Sequence, residues 1–153
     1  MDVYGVMREP LSRTISVFGN VFGIYKNRFS RGDYRVGMNS VTTNTIVETI
    51  LNLISKSSSA DKFQFMTGVD VYFPINPQSY WLKHNVNLIN NIIVYPKFDL
   101  FLEKITGKPE LQERLTVAPS HIKTELNSDL KKQIQELYKD DFDLWQQLNP
   151  HNS

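Results

Sequence analysis

The sequence predicts an α/β fold in which short parallel strands alternate with amphipathic helices. Three observations carry that expectation. The apolar runs DVYGVM (2–7) and NIIVYP (91–96) both read as buried strands. Each leads into a stretch whose apolar residues return at three- and four-residue steps. No internal repeat or low-complexity linker interrupts the chain, so residues 1–150 read as a single domain with a small sheet.

After the first strand, Pro10 suits the opening turn of a helix, where its missing N–H is no loss. Ile15, Phe18, Phe22 and Tyr25 give that helix one apolar face through about residue 27. RFSRGDYRVGMNS (28–40) is a basic, glycine-containing loop. Thr45 followed by Glu48 announces a second helix with a capping box. Ile46, Val47, Ile50, Leu51 and Ile54 form its apolar stripe, and SKSSSAD (55–61) ends it. Residues 62–82, aromatic and carrying two prolines, read as turns with short extended pieces. Behind the second strand, Phe98, Phe101, Leu102 and Ile105 mark a short helix stopped by Gly107 and Pro109. Asn127 or Ser128 caps a final helical stretch with Leu130, Ile134, Leu137, Tyr138, Leu144, Trp145 and Leu148 inward.

Composition narrows the function classes. Seventeen basic residues against sixteen acidic leave no global field to recruit nucleic acid or an anionic membrane, so any anion binding must be local. The absence of cysteine excludes disulfides, thiolate zinc sites and a thiol nucleophile. No apolar run approaches the roughly 20 residues of a membrane span. The first ten residues lack the basic flank and apolar core of a signal peptide. None of the thirteen asparagines stands in a glycosylation triplet. The expectation is a soluble, cytoplasmic protein without a membrane span.

The chemistry concentrates in VMREPLSRTIS (6–16), where a strand hands over to a helix. In parallel α/β sheets, ligands bind beyond the carboxyl ends of strands. Helix N-termini there offer N–H groups and partial positive charge to phosphate. Arg8 would add a guanidinium fork suited to bidentate phosphate contact. Ser12 and Ser16, one turn apart, can add a hydroxyl. The plainer reading pairs Arg8 with Glu9 or another carboxylate and leaves the serines as ordinary first-turn residues.

REPLSRTIS resembles the 3′-phosphate-binding segment of the sulfotransferase superfamily. That segment carries Arg-Asp/Glu-Pro after an apolar strand, an Arg within the helix, and a Ser eight positions after the first Arg. Arg8, Glu9, Pro10, Arg13 and Ser16 match it. Three later stretches are similar to the carbohydrate-type branch, in the same order. FPINPQSYWL (73–82) resembles its Pro-Gln-x-x-x-Leu segment, and NNIIVYPKFDLFLEKITG (90–107) its strand–turn–helix. LKKQIQELYKDDFDLW (130–145) resembles its closing helix with Ile-x-x-x-Tyr-x-x-Asp-Phe.

The resemblance implies a partial P-loop-like three-layer fold, a small parallel sheet flanked by helices. It implies transfer of a sulfuryl group from 3′-phosphoadenosine 5′-phosphosulfate (PAPS) to a carbohydrate hydroxyl, with no metal. Arg8 and Ser16 would hold the donor's 3′-phosphate. Lys123, in LTVAPSHIKTE (115–125), would contact phosphate from a capping loop, with Ser120 beside it. Gln78 would hydrogen-bond the acceptor. Two departures qualify the match. Pro96 stands where the family usually has a glutamate. The 5′-phosphosulfate loop belongs well upstream of Arg8, where only seven residues stand. The chain therefore reads as the C-terminal two-thirds of such an enzyme, an incomplete domain. An enzyme lying in the Golgi lumen is the expectation if the chain is a fragment of a longer eukaryotic protein.

The catalytic base is not assigned. His84, His121 and His151 are scattered without metal-ligand spacing and read as surface residues. Asp140, Asp141 and Asp143 read as the solvated face of the last helix. Tyr72, Phe73, Tyr80 and Trp81 read mainly as core, and SKSSSADK (55–62) as a solvated loop. A domain lacking its first strand leaves an apolar face for a second copy or a complementing chain. Two alternatives stand beside the enzyme: a non-catalytic nucleotide-binding remnant, and a helical interaction module whose Arg-Glu-Pro turn is coincidental.

Overall fold

In a computed structural model, residues 4–27, 38–56, 75–84, 91–94, 103–104, 107 and 121–148 are described. The elements among them are β1 (Tyr4–Met7), α1 (Pro10–Asn27), a 3₁₀ turn (Met38–Ser40), α2 (Thr43–Ser55), α3 (Gln78–His84), β2 (Asn91–Val94), α4 (Ser128–Leu137) and α5 (Lys139–Leu148). The described residues are predominantly helical. Strand structure amounts to β1 and β2, paired in parallel from Tyr4 opposite Asn91 to Met7 opposite Val94.

That overturns the expected three-layer α/β architecture. Two four-residue strands form a ribbon, too narrow to serve as a sheet layer with helices on both faces. Alternating strands and helices in a sequence announce a layered sheet only when enough strands exist to build one. Here the apolar periodicity is overwhelmingly that of helices.

The chain divides into two compact units, each discontinuous in sequence. One holds residues 1–12, 77–117 and 138–153, and so contains β1, β2, α3, α5 and the first residues of α1. The other holds residues 13–76 and 118–137, and so contains the rest of α1, α2 and α4.

In the first unit, β1 alternates as a strand must: Gly5 and Met7 are buried and Val6 is exposed. α3 packs on α5, and Leu82 and Tyr138 are buried. Gly107, at φ +66°, donates its N–H to the Glu103 carbonyl at 2.8 Å. That left-handed φ suits a glycine that ends a helical turn, the role expected of Gly107. The inward residues assigned to that helix lie outside the described set.

In the second unit, α2 buries Thr43, Ile46, Val47, Ile50, Leu51 and Ile54, the expected stripe with one threonine added, and packs on α4. Burying each Ile, Leu or Val contributes roughly 1.5–3 kcal/mol, an upper figure because unfolded chains already bury some apolar surface. α1 contributes the buried Thr14, Phe18, Val21 and Phe22, with Ile15 half-buried. α2 begins one turn earlier than the capping-box reading placed it. Thr42 is its N-cap, accepting the Thr45 N–H at Oγ1 (3.3 Å), so Thr45 lies inside the helix and Glu48 is exposed. Two overlapping threonine-led patterns exist, and the earlier one wins because pairing of the preceding backbone fixes the start. Ile122 donates its N–H to the Val41 carbonyl (2.8 Å) and accepts from Thr43 N–H (3.1 Å).

The single closing helix expected from the sequence is two. Asn127 caps α4, its Oδ1 accepting the Asp129 N–H at 2.9 Å. The helix breaks at Tyr138, whose carbonyl accepts the N–H of both Asp141 (2.9 Å) and Phe142 (3.2 Å) to start α5. No helix among the described residues is long and apolar enough to cross a membrane.

Candidate functional site

The strand-to-helix junction of the first unit is built from four consecutive facts of sequence. β1 ends at Met7, which is buried. Arg8 follows with an exposed side chain at the strand's carboxyl end. Pro10 is the first residue of α1 and has no N–H to satisfy. Glu9 lies between them and turns its carboxylate onto the helix: Oε1 accepts the Leu11 N–H at 3.0 Å and Oε2 the Ser12 N–H at 2.7 Å.

This changes the electrostatics expected of the junction. The first-turn N–H groups that would cradle a phosphate already hold the chain's own carboxylate. The N–H groups of Leu11 and Ser12 are thus satisfied within the chain. Glu9 pairs with the backbone of α1.

Gln78 supplies the second layer. Its Oε1 accepts the Arg8 N–H at 2.9 Å, and its Nε2 donates to the Arg8 carbonyl at 3.0 Å. One primary amide thus satisfies both main-chain polar groups of Arg8, as a neighbouring strand would. Gln78 is 9% exposed. The structure gives its amide a main-chain partner where the resemblance assigned an acceptor hydroxyl.

The third layer is Asp141. Its two carboxylate oxygens accept the N–H groups of Gln78 (Oδ2, 2.8 Å) and Ser79 (Oδ1, 2.7 Å), the first two residues of α3. At 1% exposure, Asp141 is no part of a solvated face. Only Asp140 and Asp143 fit that reading, Asp143 pairing with Lys139 at 2.7 Å. That hydrogen bond, and the Asp143 charge behind it, hold the Lys139 ammonium above the usual lysine pKa. A signal for Asp141 did exist: Ile134, Tyr138 and Asp141 are spaced four and three apart, so the aspartate falls on the buried stripe.

Ser16 is half-buried within α1, one turn beyond the exposed Ser12. Lys123 is exposed and belongs to the second unit, in the extended segment anchored by Ile122. Asn44 holds the following residues, with Nδ2 donating to the Glu125 carbonyl (3.0 Å) and Oδ1 accepting the Asn127 N–H (2.8 Å). His121 is half-buried. Tyr80, expected mainly as core, is 45% exposed. The side chains of His84, Trp81, Tyr72, Phe73, Ser120 and His151, and the loop 57–62, lie outside the described set. Among the described residues no group of three or more His, Asp or Glu could hold a metal ion.

Compared with protein-family models, curated proteins and solved structures, the chain matches none.

Proposed function

We propose that the junction around Arg8 binds the 3′-phosphate of a PAPS-type nucleotide, and that the chain serves sulfuryl transfer to a carbohydrate hydroxyl. The observation that carries this reading is the placement of Arg8. An exposed arginine stands at the carboxyl end of a parallel strand, two residues before a helix, with its main chain held on both polar groups. A guanidinium fork suits the paired oxygens of a phosphate dianion. Ser16 and Lys123, which the resemblance assigned to the same ligand, belong to the second unit, and the reading rests on Arg8. In the transfer, the acceptor oxygen bonds to sulfur as the bond from sulfur to the leaving phosphate oxygen breaks, and the hydroxyl proton passes to solvent. Adenosine 3′,5′-bisphosphate is the product, and positioning with electrostatic stabilisation dominates such chemistry.

Titration with adenosine 3′,5′-bisphosphate tests the reading. Saturable binding is expected, weakened by Arg8→Ala by about 1.5–3 kcal/mol for a lost charged hydrogen bond. Equal binding by the wild type and Arg8→Ala overturns it. Transfer of label from sulfur-labelled PAPS to an oligosaccharide then separates an enzyme from a nucleotide-binding module.

A further inference from the structure

We infer that Gln78 and Asp141 are positioning residues for Arg8, a role that rests on reading Arg8 as the phosphate-binding residue. Arg8 lies just past the β1–β2 ladder, which ends at Met7 opposite Val94, and just before α1. A residue at such a junction needs a partner that fixes its peptide groups. The Gln78 amide does so, with one bond to the N–H and one to the carbonyl. Two bonds to one residue set the direction of its Cα–Cβ bond, and so the sector the guanidinium can sweep. A bidentate phosphate contact is sensitive to that angle.

Gln78 in turn is fixed from behind. It is the first residue of α3, and Asp141 binds its N–H together with that of Ser79, both bonds being buried. The relay therefore runs from the Asp141 carboxylate to the start of α3, to the Gln78 amide, to the Arg8 main chain. It joins residues separated in sequence by 63 and 70 positions. It also ties together three of the segments that carry the sequence resemblance: Arg-Glu-Pro, Pro-Gln and Tyr-x-x-Asp-Phe. Neither Gln78 nor Asp141 needs to touch a ligand for its loss to be felt at Arg8.

The test compares the full chain with Gln78→Met, Asp141→Asn and, as control, Asp143→Asn. The probes are adenosine 3′,5′-bisphosphate and adenosine 5′-monophosphate, and amide exchange at Arg8 is followed without ligand. Gln78→Met and Asp141→Asn are expected to weaken bisphosphate binding about 5- to 10-fold, the equivalent of one hydrogen bond. Affinity for the monophosphate stays unchanged, and the Arg8 N–H exchanges faster in both. Asp143→Asn changes none of these. In an Arg8→Ala background, Gln78→Met has no further effect. Should Asp141→Asn fail to fold, Gln78→Met carries the same expectations by itself. A wild-type ratio of the two affinities in a folded Gln78→Met overturns the positioning role and leaves the phosphate reading standing. A wild type with no preference for the bisphosphate overturns both, while faster Arg8 exchange in the variants would still report the clamp.

Discussion

The Glu9 carboxylate accepts the Ser12 amide N–H at 2.7 Å, closing the first turn of α1 with a negative charge beside the Arg8 position. Glu9 stabilises the helix, and its charge would oppose any anion brought to Arg8 under the proposed function.

Glu9→Ala should therefore move stability and binding in opposite directions. Loss of the cap should cost about 0.5–2 kcal/mol, read as a lower urea midpoint at unchanged slope. Affinity for adenosine 3′,5′-bisphosphate should rise about 2- to 5-fold, since one charge at a helix terminus is worth about 0.3–1 kcal/mol. Weaker binding in the variant would show that Glu9 shapes the site by more than charge.

Asp141 and Asp140 are adjacent in sequence and should behave as opposites. Asp141→Ala leaves two buried N–H groups unsatisfied and should cost about 2–4 kcal/mol. Asp140→Asn, at an exposed position, should stay within about 0.5 kcal/mol of the wild type. Denaturant titration of the two variants side by side decides it.

Asn44→Ala should loosen residues 124–127 specifically. It removes the acceptor of the Asn127 N–H and the donor to the Glu125 carbonyl. Hydrogen exchange should rise at Asn127, and the global cost should be about 1–2 kcal/mol. Unchanged protection at Asn127 would contradict the clamp.

Lys139→Met should leave the thermal midpoint where it is at physiological salt. The Lys139 pKa is raised in the folded chain, so the ion pair favours folding below the unfolded lysine pKa and loses that contribution as pH rises through the folded value. Both partners are exposed, which screens the pair. A midpoint that falls clearly in the variant near neutral pH would give the pair more weight than its exposure allows.

Helix faces were the most legible part of the sequence. Ile46, Val47, Ile50, Leu51 and Ile54 are all buried, because a stripe at helical spacing has one way to leave water. Tyr4–Met7 of the expected strand and the start of α1 at Pro10 were legible for similarly local reasons, an apolar run and a fixed φ. The architecture was not: strand-like segments do not reveal how many neighbours they will find. The α2 start was misplaced because Thr42-x-x-Thr45 and Thr45-x-x-Glu48 overlap, and a contact with Ile122, 79 residues from Thr43, chooses between them. The candidate site was half legible. Arg8 could be named from its neighbours, whereas the partners of Gln78 and Asp141 lie more than sixty residues away. A charged residue on an apolar stripe was the available clue.

Both units draw on stretches distant in the chain, and the first groups residues 138–153 with residues 1–12. Neither can be excised as one continuous peptide, and the first unit cannot close until α5 has been synthesised. Closure of the first unit must then wait on contacts of long sequence separation, which are slow to form.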